Sequence, residues 1–395
     1  MLLQIFITIG ASQALALSIL LLLKRQKKPA DHLLSLTLLL MFAIIMLFNY
    51  RYELLSTRMP LCLHSFTLAY LALPVFYQYI RTSTKDACDG SWTKTWPHFI
   101  PFVGVVGLMS YFYLPMPWAQ QAELLDTIHT SDGPLWFQIV YFGLFLGMFP
   151  VYLWLSLREL QQHEHYVLTC FSYKEDVSLN WLNRFVWALA TVWVGFIIFE
   201  VVGGRLYTAP VAESGMYLAF LVFVGSISYL GLYGLRQQTI FLDPIPESVR
   251  EPLPVAEEKN LPATPTSRES SSESAAALAQ LLRVMQDEEP HRRPRLTISE
   301  LAELCGMPAH QLSRLLNEAL GQHFFDFINE YRIDTFKELA TDPGNASYTL
   351  LSLAYEAGFN SKSTFNAIFK KSTGMTPSAY LRQVRQSGVV EPATT

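Results

Sequence analysis

The sequence predicts an all-α chain: a seven-transmembrane helical bundle followed by a cytoplasmic α-helical domain with two helix-turn-helix motifs. Three observations lead there. Seven apolar segments, each near the roughly 20 residues that a bilayer-spanning helix requires, fill residues 1–239. The texture then changes abruptly to a proline-, serine- and glutamate-rich stretch over 240–274. Beyond it, two short patterns of helix, glycine corner and helix flank one longer amphipathic helix.

The apolar segments lie at about 2–23, 32–50, 61–80, 97–114, 134–157, 181–201 and 216–235. The first is not expected to be a cleaved signal peptide: no positive charge precedes it, it is long, and the basic cluster Lys24-Arg25-Gln26-Lys27-Lys28 follows it. Basic residues in the short loops set the orientation. Lys24, Arg25, Lys27, Lys28, Arg81, Lys85, Lys94, Arg158 and Lys174 follow the odd spans, against Arg51, Arg58 and Arg205 after the even ones. The expected topology is a multi-pass protein of the bacterial inner membrane, N-terminus outside and residues from 236 onward in the cytoplasm. Trp92, Trp96, Trp118, Trp136, Trp181, Tyr207 and Tyr233 near span ends fit interfacial anchoring. The acidic outer loop from Pro115 to Gly133 reads as a solvated connection, with a lid as the alternative.

Polar groups within spans are candidates for sensing a ligand or membrane signal: His64, Asn49, Glu200 and Arg205. Three of them have a bland reading as well. His64 can make an interhelical hydrogen bond, and Glu200 with Arg205 an ion pair at the bilayer surface. Gly225, Gly231 and Gly234 in the last span permit close helix packing.

Composition narrows the function class. Apolar residues are 51% of the 395 and charged ones 16%, low for a soluble protein, and the net charge of −4 carries no global basic signal. Cys62, Cys88, Cys170 and Cys305 are scattered without CxxC spacing, which argues against a thiolate metal cage or a disulfide framework. His163-Glu164-His165 has the wrong spacing for a metal site, because residues two apart do not share a helix face. With no glycine-rich phosphate loop and no nucleophile elbow, neither an enzyme nor a cofactor is expected.

Over 241–274 six prolines and a Ser/Glu-rich run, with seven acidic and three basic residues, predict a disordered linker. Some 34 residues of flexible chain would span on the order of 30 Å. A cytoplasmic domain follows at 275–386, with a disordered tail at 387–395. It opens with a helix over Ala275–Gln286. The Arg292-Arg293-Pro294-Arg295 knot is then a phosphate clamp or a solvated loop. Thr297 caps a helix over Ile298–Leu304, with Glu300 at the reciprocal capping-box position. Gly306 turns the chain, and Pro308 starts a helix to Ala319 whose inward face is Leu312, Leu315 and Leu316. His310, Gln311, Ser313, Arg314 and Asn317 form its free face. A joining helix with a stripe of Phe324, Phe327, Ile328 and Tyr331 ends before Pro343-Gly344.

In the second motif Leu350, Leu353, Ala354 and Ala357 make one apolar face, Gly358 a sharp corner, and Asn360 or Ser361 a cap. Phe365, Ile368 and Phe369 then face inward, leaving Lys362, Ser363, Thr364, Asn366 and Lys370 outward. Gly374 ends that helix and Pro377 opens the next. Short polar donors and lysines on the free face of a supported helix suit the DNA major groove, although an αα-hairpin that only packs has the same pattern.

The run Leu353-Ala354, Gly358-Phe359, Ser361, Phe365, Phe369-Lys370, Gly374, Thr376-Pro377 and Tyr380 resembles the C-terminal signature of the AraC/XylS family of bacterial transcription regulators. Asn329, Arg332 and Ile333 also fit that pattern. Phe336 and Ala340 depart from it as an exchange of large and small positions, and Leu381 stands where an arginine is common. The resemblance covers about 275–385. It implies two recognition helices held about one DNA turn apart by the joining helix, no catalytic residues, and activation more often than repression. Seven spans ahead of such a domain are similar in topology to the membrane-embedded members of that family.

The reading of the whole is a membrane-bound one-component transcription regulator, with a transporter or channel carrying a DNA-binding-like regulatory module as the alternative. Its expected partners are double-stranded promoter DNA, the lipid bilayer, a second copy in a homodimer, a small-molecule or membrane signal, and RNA polymerase. Residues 275–395 hold 12 basic and 13 acidic residues, so DNA binding would need a polarised surface and help from dimerisation.

Overall fold

The computed structural model describes residues 2–25, 28–50, 67–84, 95–113, 115–117, 120, 144–175, 177–206, 209–236, 267–345 and 347–387. Among them the regular structure is all helical; the one β-type pairing is an isolated antiparallel bridge between Phe171 and Thr297. The chain divides into two units: residues 1–162 with 179–238, and residues 163–178 with 239–395.

In the first unit a helix falls on each of the seven apolar segments. These are α1 (Leu2–Leu23), α2 (Pro29–Asn49), α3 (Thr67–Thr84), α4 (Ile100–Tyr113), α5 (Leu144–Cys170), α6 (Asn180–Leu206) and α7 (Ala209–Arg236). Two stretches, Gln4–Leu23 and Pro29–Asn49, are long and apolar enough to cross a membrane by length and composition, and Trp96–Phe112 is a shorter apolar one. α1 packs on α2 and on α7, α2 on α3, and α6 on α7. A Cβ at Gly231 would run into Leu17 at 2.5 Å, and one at Gly234 would meet the Leu34 side chain, so these glycines let α7 approach its neighbours closely. Gly225, expected to share that role, faces open space.

Hydrogen bonds between small side chains tie the same helices. The Ser18 and Ser35 hydroxyls lie 2.8 Å apart, and each also donates to the other's carbonyl, at 3.1 and 3.2 Å. Asn49 is buried, and its Nδ2 donates to Gln4 O at 3.3 Å and to Thr8 Oγ1 at 3.0 Å. At the start of α2, Asp31 accepts from the Lys28 N–H at 3.0 Å and pairs with Lys24 at 3.1 Å.

The second unit contains α8 (Ser267–Asp287), α9 (Ile298–Leu304), α10 (Ala309–Leu315, prolonged by a π-helical turn over Leu316–Leu320), α11 (Phe324–Thr341), α12 (Leu350–Glu356), α13 (Lys362–Thr373) and α14 (Pro377–Ser387). α8 begins at Ser267, inside the stretch to 274 that composition assigned to the linker. Serines and glutamates are good first-turn residues, so the alanine-leucine helix extends backward through them. The linker residues 241–266 lie outside the described residues.

The core of this unit is aromatic. Ile333, Phe336, Leu353, Ala354, Ala357, Phe359, Phe365 and Phe369 form one buried cluster, with Tyr380 and Ile368 packed against it. Phe336 sits at its centre, 4.6 Å from the Phe365 ring and 5.4 Å from that of Phe369. The large residue at 336 is therefore what fills the space between α11 and α13. Tyr331, expected in the buried stripe of α11, is only half-buried; Asn329 and Arg332 go inside instead, both 1% exposed.

Candidate nucleic-acid interface

Each of the two helical hairpins is built by short-range capping. In the first, the Glu300 N–H donates to Thr297 Oγ1 at 3.3 Å and the Glu300 carboxylate accepts from the Thr297 N–H at 2.7 Å, a reciprocal box that starts α9. Gly306, at φ +65°, turns the chain into α10. Leu312, Leu315 and Leu316 are buried; His310 and Arg314 are exposed, and Gln311 and Asn317 are half-exposed. Ser313 departs from expectation. It lies inward, 7% exposed, because the 100° helical step places it about 60° from Leu316 and on the edge of the apolar face. It does not belong to the free face.

In the second hairpin the Ser352 N–H donates to Thr349 Oγ1 at 3.1 Å to start α12. Ser361 caps α13, its Oγ accepting from the Thr364 N–H at 3.2 Å. Phe365 and Phe369 are buried, while Lys362, Ser363, Asn366 and Lys370 are exposed and Thr364 is half-buried. The Gly374 N–H donates to Lys370 O at 2.9 Å with φ +75°, closing the helix in the left-handed conformation that glycine tolerates. Lys371 pairs with Asp326 of α11 at 3.0 Å, so this lysine serves the joining helix.

Arg332 binds the pieces together. Its Nε donates to His291 O at 2.8 Å, Nη1 to Ser172 O at 2.9 Å, and Nη2 to Ser172 Oγ at 3.0 Å and to Arg293 O at 2.7 Å. Burial lowers its pKa, yet the guanidinium stays charged at neutral pH and satisfies carbonyls that have no helical partner. The Arg292–Arg295 knot is thus fixed by its backbone. Arg292 pairs with Glu289 at 2.8 Å, and Arg295 lies over the Tyr173 ring at 5.7 Å. His291 is 3% exposed, with Nε2 and Thr335 Oγ1 2.9 Å apart, and burial pushes its pKa down to about 4.

Of the signal candidates, Asn49 is used in the α1–α2 hydrogen bonds described above. His64 lies outside the described residues, and Glu200 and Arg205 lie on α6. A polar aromatic cluster that sequence reasoning missed lies in the same unit. The rings of Tyr77, His98 and Tyr152 have centroids 5.2 to 5.9 Å apart, and the Tyr77 hydroxyl donates to Glu159 at 3.4 Å. Its members are 82 positions apart at the extreme, a separation that periodicity cannot bridge. His163 is committed too, its Nε2 donating to Val177 O at 2.9 Å.

Residues 301–383, which span both hairpins and the joining helix, match a family model described as a helix-turn-helix domain. This part of the chain is similar to helix-turn-helix domains. Uncharacterized HTH-type transcriptional regulators of Staphylococcus aureus strains COL and MSSA476 are each 35% identical to this chain over 92 residues. That overlap is 23% of this chain and 12% of theirs, so the chain spans only a small part of the length of these relatives. No solved structure matches the chain. Both α10 and α13 lie within the matched residues.

Proposed function

We propose that this protein is a membrane-bound, one-component regulator of transcription of the AraC/XylS type. Residues 1–239 act as the seven-span sensor, 240–266 as a linker, 267–386 as the DNA-binding domain with the helix that leads into it, and 387–395 as a tail. The observation that carries the reading is the helix-turn-helix domain, with polar free faces on α10 and α13, in one chain with a set of long apolar helices. The excess of basic residues after the odd apolar segments supports a cytoplasmic C-terminus, where DNA is.

Within the domain the fork of Arg314 suits bidentate contact to guanine, Gln311 and Asn366 suit adenine edges, and Lys370 suits a phosphate. His310, Asn317, Lys362, Ser363 and Thr364 complete the contact faces. The near balance of charge in 275–395 makes non-specific affinity weak, so occupancy depends on a homodimer or on crowding at the bilayer. A ligand, lipid or membrane condition would act by changing helix packing or dimerisation in the sensor. RNA polymerase is the downstream partner.

Genome-wide crosslinking of the full-length, membrane-fractionated protein tests this. Discrete promoter sites are expected, and they would name the regulated genes. Absence of sites with both the full-length chain and a chain starting at residue 267 would overturn the proposal.

A further inference from the structure

Residues 163–178, the end of α5 and the stretch that leads to α6, belong by their contacts to the unit that contains the two hairpins. A polar socket on α11 draws them in. Asn329 and Arg332 are each 1% exposed, and a charge so buried is tolerated only when its donors find acceptors. The domain's own chain offers Arg332 the carbonyls of His291 and Arg293 and, at 3.3 Å, Asn329 Oδ1. Ser172, fully buried, supplies two more acceptors. Its carbonyl accepts from Arg332 Nη1 at 2.9 Å and from Asn329 Nδ2 at 3.2 Å, and its Oγ accepts from Arg332 Nη2 at 3.0 Å. Its N–H donates to Leu296 O at 3.1 Å, beside the Phe171–Thr297 bridge. Neighbouring side chains widen the seat. Arg295 lies over the Tyr173 ring, Lys174 Nζ lies 4.6 Å from the centre of the Phe325 ring, and the His165 and His323 rings meet edge to face with centroids 5.0 Å apart.

We propose that residues 169–175 are a docking peptide, which holds the DNA-binding domain to the membrane part of the chain through the socket of Asn329, Arg332 and the 291–297 loop. The proposal rests on the reading of residues 1–239 as membrane-embedded and says how the domain is held there. The seat is made for a peptide. It takes one backbone N–H and one backbone C=O from the same residue, as strand-like docking does, and the side chain that enters it sets the choice of residue. Ser172 is small enough to be enclosed and carries the acceptor that Arg332 Nη2 uses. The linker of residues 240–266 by itself would leave the domain free over a span on the order of 30 Å. The docked peptide is a second attachment, and it enters the core of the domain. Cutting the linker therefore does not free the domain. A change in α5 or α6 reaches α11, the helix between the two hairpins, without passing through the linker.

The test uses the full-length chain in phosphatidylcholine nanodiscs, with a protease site inserted in the linker after Asn260. After cleavage the C-terminal piece should stay with the discs on gel filtration, also at about 1 M salt, where exposed charges are screened within about 3 Å. Ser172→Ala, which deletes one acceptor of a charged donor, should speed its release roughly tenfold or more. Lys174→Ala, which deletes the cation over Phe325, should speed it about threefold. In the uncut wild type the Ser172 amide should exchange as slowly as the amides of α11. Release of the wild-type piece on cleavage, or at high salt alone, would overturn the proposal. So would retention that Ser172→Ala and Lys174→Ala leave unchanged, or a Ser172 amide that exchanges at the rate of a free chain. If the uncut chain stays in solution without lipid or detergent, the membrane reading fails by itself, and co-elution of the two pieces still decides the docking.

Discussion

The two hairpin glycines, Gly306 and Gly358, should differ sharply in what they tolerate. Both sit at a corner with positive φ, +65° and +98°. An alanine at 306 meets nothing within 4 Å, so its cost is the left-handed backbone alone, about 1–2 kcal/mol. At 358 the conformation lies outside the small left-handed well near +50 to +70°. A Cβ there also runs into His291 O, lies 2.9 Å from Arg292 Cα and 3.0 Å from Arg332 Nε. Two of those neighbours are backbone pinned by Arg332 and cannot swing aside, so overpacking adds roughly 1–3 kcal/mol and the total reaches about 2–5 kcal/mol. Amide exchange on the full-length chain measures this directly, because local opening free energies set protection. Gly306→Ala should speed exchange in α9 and α10 about tenfold. Gly358→Ala should speed it more in α12 and α13, by about thirtyfold to several thousandfold, at about 1.4 kcal/mol per decade. Equal losses in the two variants would refute the argument that the approach of the 291–292 backbone, and not φ alone, demands glycine at 358.

Arg332→Lys should destabilise the domain by about 2–4 kcal/mol, because an ammonium cannot reproduce the guanidinium fork and leaves buried carbonyls unpaired; exchange should rise together in peptides covering 170–175 and 290–296. His291 gives a pH signature. Its pKa is near 4 folded against 6.5 unfolded, so the unfolded chain takes up the proton first. Stability from this group is complete above pH 6.5, falls by about 3 kcal/mol as pH drops to 4, and is flat below. His291→Gln, which keeps a partner for Thr335, should flatten that slope in exchange data corrected for the intrinsic rate. On duplexes selected from a randomised library with the wild-type protein, Arg314→Ala should cost about 1–3 kcal/mol and relax preference at one base, while Lys370→Ala should weaken all sequences alike and reduce the salt slope by about one. The same loss profile from both would reject those roles.

What could be read from the sequence is what neighbouring residues decide among themselves. The Thr297–Glu300 box, the Ser361 cap, the glycine corners and the inward phenylalanines of α13 depend on spacings of a few residues, and the hairpins form where those spacings place them. Helices occupy the seven apolar segments for the same reason, since an unbroken apolar run satisfies its backbone locally. Ser313 was misplaced because a small polar residue at the edge of an apolar stripe has no periodic signal of its own. The start of α8 was misplaced because serines and glutamates suit both a linker and a first helical turn. The tertiary structure alone decided the partners of Arg332 and the burial of Ser172 beside it. Ser172 and Arg332 are 160 positions apart, and the acceptors for the guanidinium are backbone carbonyls, which every residue carries. Side-chain pattern cannot announce such a bond; it arises only when folding brings an unpaired carbonyl and a buried charge to the same point.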